Sequence, residues 1–165
     1  MTKQAHRWLD AKSQRHVWVI DAKGVADWPA APPWTCAHFG LLIVAEHVVD
    51  IEQLAELALA QGLVFACAWG PGCSMIEDDF DEVIVGHETD ATTAANVVLT
   101  TSHADESLGE ALDFFLDAAL AAPAYVARCE AWVVFALGSS NQRRVDRALR
   151  TRDAQPTEAT AAPAQ

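Results

Sequence analysis

A chain of 165 residues, 52 % apolar and 21 % charged, is long enough for one well-cored domain and too short for two comfortable ones. Its formal net charge of -12 argues against a nucleic-acid partner, because no lysine/arginine stripe reverses the sign locally. The opening stretch lacks the uninterrupted apolar core of a signal peptide, and the longest apolar runs are strand-sized. A soluble, cytoplasmic protein with four reduced cysteines is therefore expected.

Residues 1 to 15 are polar and mixed, and read as a short helix or an arm. "HVWVIDA" (16 to 22), rich in β-branched and aromatic residues, reads as a first strand. "KGVADWPAAPPWTCAH" then carries three prolines and makes a long loop, unusual in a compact domain. "FGLLIVAE" (39 to 46) has the continuous apolar pattern of a strand buried on both faces. A helix capped by Asp50 and stopped by Gly62 follows, with Ile51, Leu54, Leu57 and Ala58 on one face. "LVFACAW" (63 to 69) is the next buried strand, followed by a turn and a short helix around 73 to 82.

"EVIVG" (82 to 86) reads as another short strand, and "NVVLTTS" (96 to 102) as the one after it. Leu108, Ala111, Leu112, Phe115, Leu116, Ala119 and Leu120 repeat at helical spacing, with Pro123 just beyond the end. "AWVVFALG" (131 to 138) is a further buried strand and "SSNQRRVDRALR" a closing helix. From Thr151 onward the Ala/Pro/Thr-rich sequence predicts a disordered tail, leaving one domain over residues 1 to 150.

Unbroken apolar strands alternating with helices predict an α/β fold. The expected form is a Rossmann-like three-layer sandwich of five or six mostly parallel strands. The first two predicted strands have no helix between them, so one antiparallel edge is expected. Ligands of such sheets gather at the carboxyl ends of the strands. The loops there supply Glu46 and His47, then Trp69-Gly70-Pro71-Gly72-Cys73. They also supply Thr100 to His103 with Asp105 and Glu106, and Gly138-Ser139-Ser140.

"CAWGPGC", "FDEVIVG" and "TTSHADESLGEALDFF" together resemble a bacterial domain-of-unknown-function family of small α/β proteins. A W-G-P-x-C turn and a T-T-x-H-x-x-E-x-L helix start recur in it. The resemblance covers roughly residues 39 to 137. It implies Trp69, Gly70, Pro71, Cys73, Thr100, Thr101, His103 and Glu106 as the residues to watch, and it brings no known reaction.

Three chemistries are open at the rim. A thiol at a helix start has its pKa lowered by backbone N–H groups, so Cys73 is a candidate nucleophile with His103 as base and Asp105 or Glu106 orienting it. The acid run "EDDFDE" opposes a second negative charge beside that thiol. A metal site is not expected: Cys67-x5-Cys73 is not a zinc spacing, and His103 with Asp105, Glu106 or His38 would need several loops to meet. No cofactor is expected either, since "WGPGC" is neither a dinucleotide fingerprint nor a P-loop, and Pro71 removes a backbone donor.

The tryptophans carry a different reading. Trp28 and Trp34 lie in the proline-rich loop and Trp69 ends a strand at the rim. They are either anchors of a partner or ligand surface, together with Gly70, Pro71, Thr100 and Thr101, or a lid folded back over the sheet. Arg143, Arg144, Arg147 and Arg150 read as a solvated helix face with cations near its negative end, or as a docking surface. Two functions from different classes follow. One is a non-catalytic module that binds a ligand, a protein partner or a second copy of itself. The other is a thiol-dependent hydrolase or acyl transferase using Cys73 and His103.

Overall fold

The longest apolar runs become the middle of a sheet because only there are both faces of a strand covered. The computed structural model describes residues 5–154. Among them are six strands: β1 (Ala5–Leu9), β2 (His16–Ala22), β3 (His38–Ala45), β4 (Leu63–Trp69), β5 (Leu99–His103) and β6 (Cys129–Leu137). The helices are α1 (Glu52–Ala60), α2 (Cys73–His87), α3 (Leu108–Asp113) and α4 (Asn141–Ala154). One sheet holds all six strands in the order β1-β2-β6-β3-β4-β5. Only β1 and β2 pair antiparallel; the other four pairings are parallel.

Side-chain alternation sorts the core into two halves. Ala131, Val133, Phe135 and Leu137 of β6 face α1 and α2, joined by Ile20, Leu41 and Ile43. Trp132, Val134 and Ala136 face α3 and α4, joined by Val17, Val19, Leu42 and Val44. Strand-to-helix connections therefore leave β3 and β4 toward one face, and β5 and β6 toward the other.

The antiparallel edge exists but arises from a different pair than expected. β2 and β3 are not neighbours: β6 lies between them and runs parallel to both. The connection between β2 and β3 is thus a crossover without an α-helix, and the proline-rich loop covers the sheet in its place. Trp28 and Trp34 are 4 % and 7 % exposed, with Trp28 stacked on Phe39 at 6.0 Å and edge-on to Phe135 at 5.4 Å. The indole Nε1 of Trp28 donates to Gln61 Oε1 at 2.8 Å, pinning the loop to the end of α1. Of the two readings, Trp28 and Trp34 follow the lid, and as surface anchors they are corrected because both rings are buried.

Other departures have identifiable causes. Residues 5 to 9 form a strand rather than a helix or arm, in register with β2 from Ala5↔Ile20 to Leu9↔His16. "EVIVG" is not a strand but the last turns of α2, because Cys73, Ile76, Phe80, Val83 and Ile84 form one buried helical stripe. Helical spacing over fifteen residues outweighs the local β-propensity of Val83-Ile84-Val85. The helix at 108 starts with a capping box between Ser107 and Glu110, then widens into a π turn over Phe114–Ala118. Residues 151 to 154, expected in the tail, form the last turn of α4, and residues 155 to 165 lie outside the described residues. No helix among the described residues is long and apolar enough to cross a membrane.

Candidate functional site

Because α2 leaves β4 toward one face of the sheet and α3 follows β5 on the other, the two connections diverge at the carboxyl rim. A crevice opens where neighbouring connections part in this way. Here it is a depression of about 420 Å³ lined by Trp69 to Ser74, Ala104, Glu106 and Arg144. Five predicted residues (Trp69, Gly70, Pro71, Cys73 and Glu106) thus line one hollow.

The turn is built by its glycines. Gly70 has φ +108°, and a Cβ there would stand 2.1 Å from the Ala45 carbonyl oxygen. Gly72 has φ +76°, and its Cβ would stand 2.4 Å from the Val48 side chain. Left-handed backbone and close approach together require glycine at both positions. Cys73 then starts α2, its backbone N–H bonded to the Gly70 carbonyl at 3.1 Å. Its side chain is 1 % exposed and packs into the α1/α2 half of the core.

His103 faces away from it. The ring lies 4.7 Å from that of Phe114, which packs with the α3/α4 half of the core. Its Nδ1 is 2.8 Å from Glu106 Oε2 and its Nε2 is 3.4 Å from Thr101 Oγ1. Among the described residues no hydrogen bond joins Cys73 to His103. The sheet brings His103 to Glu106 and Thr101, and it does not bring His103 to the thiol. Thr100 turns to the other side, its hydroxyl donating to Asp81 of α2 at 2.6 Å.

Sequence reasoning missed Ser74 and Ala104, and it named Arg144 only as part of the α4 basic cluster, not on the rim. Arg144 stands in the first turn of α4, and its guanidinium lies 4.9 Å from the centroid of the Trp69 ring. It also donates to Asn141 Oδ1 at 3.3 Å. Asn141 is fully buried, and its Nδ2 donates to the carbonyls of Leu137 at 2.6 Å and Val44 at 3.3 Å, holding α4 to the ends of β6 and β3. The available signal was positional: the first turn of a helix that follows a parallel strand sits on the carboxyl rim.

The family model described as a domain of unknown function, DUF7684, matches residues 18–152. The chain belongs to this family. The DUF7684 match takes in most of β2, every later strand and nearly all of α4, and so spans the whole rim. No curated protein and no solved structure gives a significant match.

Burial raises three of the four thiols of this DUF7684 chain. Burial pushes Cys67 up to about 12, with the Thr101 hydroxyl opposing it. Burial also pushes Cys129 up to about 12, against the favourable charge of Arg15, and it raises Cys36. Among the described residues no group of three or more His, Cys, Asp or Glu side chains is placed to hold a metal ion.

Proposed function

We propose that this chain is a cytoplasmic, non-catalytic binding module of Rossmann-like three-layer design that takes a small ligand in the rim depression. The observation that carries the reading is the divergence of α2 and α3 to opposite faces, which places the hollow at a topological switch point. Its volume falls in the range of small-molecule clefts, about 300–1,000 Å³. Trp69 and Arg144 supply an apolar edge and a cation, while Glu106 is already engaged by His103.

Ser74 is exposed in the mouth of the depression, so Ser74→Trp fills the hollow without entering the core. A panel of small metabolites screened by ligand-detected NMR is expected to yield binders whose signals are lost in Ser74→Trp. Binding that survives in that variant places the ligand elsewhere and overturns the proposal.

Burial of Cys73, on the face away from His103, favours this reading over a thiol-dependent hydrolase or acyl transferase. Iodoacetamide labelling at pH 8, read by peptide mass spectrometry, is expected to modify native Cys73 at least about tenfold more slowly than the urea-unfolded chain. Fast native labelling that slows in His103→Ala would instead favour the enzyme.

A further inference from the structure

The structure assigns a second surface to this chain: the groove between α3 and α4 is a docking site for an acidic protein segment carrying one apolar anchor residue. This surface does not rest on the rim reading, although Arg144 borders both hollows.

Four exposed arginines on one helix need an explanation in a chain with 23 acidic and 11 basic residues. The helix macrodipole does not provide one. Arg143 and Arg144 sit in the first turn of α4, the positive end, where cations are disfavoured. The expectation of a solvated face agrees with the exposure of all four, and that of cations near the negative end is corrected for Arg143 and Arg144 alone. Nor do ion pairs explain them. Among the described residues, Arg143, Arg144, Arg147 and Arg150 have no carboxylate partner. The acids of α4 are turned to the β1–β2 side: Asp146 lies 3.2 Å from His6, and Asp153 accepts from the Ala11 N–H at 3.2 Å.

Two of these arginines border a hollow of about 290 Å³ between the helices. Leu108, Leu112 and Ala148 give it an apolar floor, and Arg144 and Arg147 stand on the α4 side. The α3 side carries Asp113, which pairs with Arg152 in a cluster that also holds Asp10 and Asp117, and nearby Glu110, a carboxylate hydrogen-bonded to Ser107. Among the charged residues that line the groove, Arg144 and Arg147 are therefore the ones without an opposite partner, although the molecule as a whole is strongly negative. An apolar hollow beside unpaired guanidinium groups fits an anchor side chain flanked by carboxylates, which arginine grips in a planar fork. The same charge would repel a second copy's cationic strip, so the occupant is a partner and not a symmetric pairing of this groove.

A glutamate-rich peptide with one central leucine, titrated into the full chain and followed by backbone amide NMR, tests the assignment. Saturable shifts confined to residues 108–113 and 144–151 are expected. Arg147→Glu, which touches no part of the rim depression, should weaken the affinity about tenfold or more. Arg150→Glu, off the groove, should change it far less. Any of three results overturns the assignment: no saturable shifts, equal binding of the lysine counterpart, or unchanged affinity in Arg147→Glu. A single-stranded DNA oligonucleotide that binds these residues more tightly than the peptide would also overturn it, in favour of a nucleic-acid partner.

Discussion

Replacing Arg152 with alanine lowers the unfolding free energy by about 3–5 kcal/mol, the cost of leaving a buried charge without its partner. Arg152 is 4 % exposed and Asp10 is fully buried. The guanidinium Nε donates to Asp10 Oδ1 at 2.8 Å and its Nη2 to Asp10 Oδ2 at 3.2 Å. It also pairs with Asp113 and Asp117, and Lys12 reaches Asp117 at 2.6 Å. One side chain thus ties the β1–β2 connection to α3, the π turn and α4. Its removal leaves Asp10 in the interior with only the turn at Ser13, whose N–H donates to Asp10 Oδ2 at 2.7 Å. In a domain of ordinary stability, about 5–15 kcal/mol, that is a large share of the whole. Urea denaturation measures it, and a loss under about 1 kcal/mol would show the network to be solvated and weak.

The same network sets an acid limb of stability. Burial pushes Asp10 upward, but hydrogen bonds from Arg152 and Ser13 outweigh it and hold the carboxyl below its ordinary value. Asp117 is likewise opposed by burial and held low by Arg152 and Lys12. Depressed folded values mean that the unfolded chain binds more protons in the window between folded and ordinary carboxylate values. The stabilisation is therefore complete above the ordinary carboxylate range, and it is lost as pH falls through the depressed values. Wild type and Arg152→Ala should differ most near neutrality and converge in acid. A gap that stays constant with pH would mean that the lost contacts are packing and not charge.

Local pattern carried the interior of the sheet well. β3, β4 and β6 stand within two residues of their expected positions because each is a continuous apolar run. β1 was hidden, since "AHRWL" has neither a clean alternation nor a long apolar run, and its partner β2 decides its fate. The pairing of β6 with both β2 and β3 was hidden for a similar reason: strand order is a property of crossovers, and no residue encodes it alone. The rim followed the same division. Gly70, Gly72 and Cys73 could be placed from one short turn, but Arg144 meets Trp69 across seventy-five positions of sequence. Cys73 starts α2 and His103 ends β5, and their side chains lie in opposite halves of the core. Proximity along the rim therefore did not become contact.

The crossover without an α-helix gives the second large effect. Where a parallel pair is normally bridged by a helix, this chain bridges β2 and β3 with a proline-rich loop whose tryptophans fill the vacant face. Trp34 lies 4.8 Å from Phe39 and edge-on to Trp28 at 6.0 Å, so the two indoles and the two phenylalanines form a single aromatic block. Trp28→Ala removes the central ring of that block and its bond to Gln61. The expected loss is about 3–5 kcal/mol, measured by urea denaturation, as for other large-to-small changes in a core. Trp28→Phe keeps most of the packing and loses the indole hydrogen bond, so it should cost clearly less. Indoles serving a partner would behave in the opposite way: alanine would leave the unfolding free energy within about 0.5 kcal/mol of wild type. The distinction matters for function, because a loop that replaces a helix in the core is held by its own rings. Those rings are then committed to the fold.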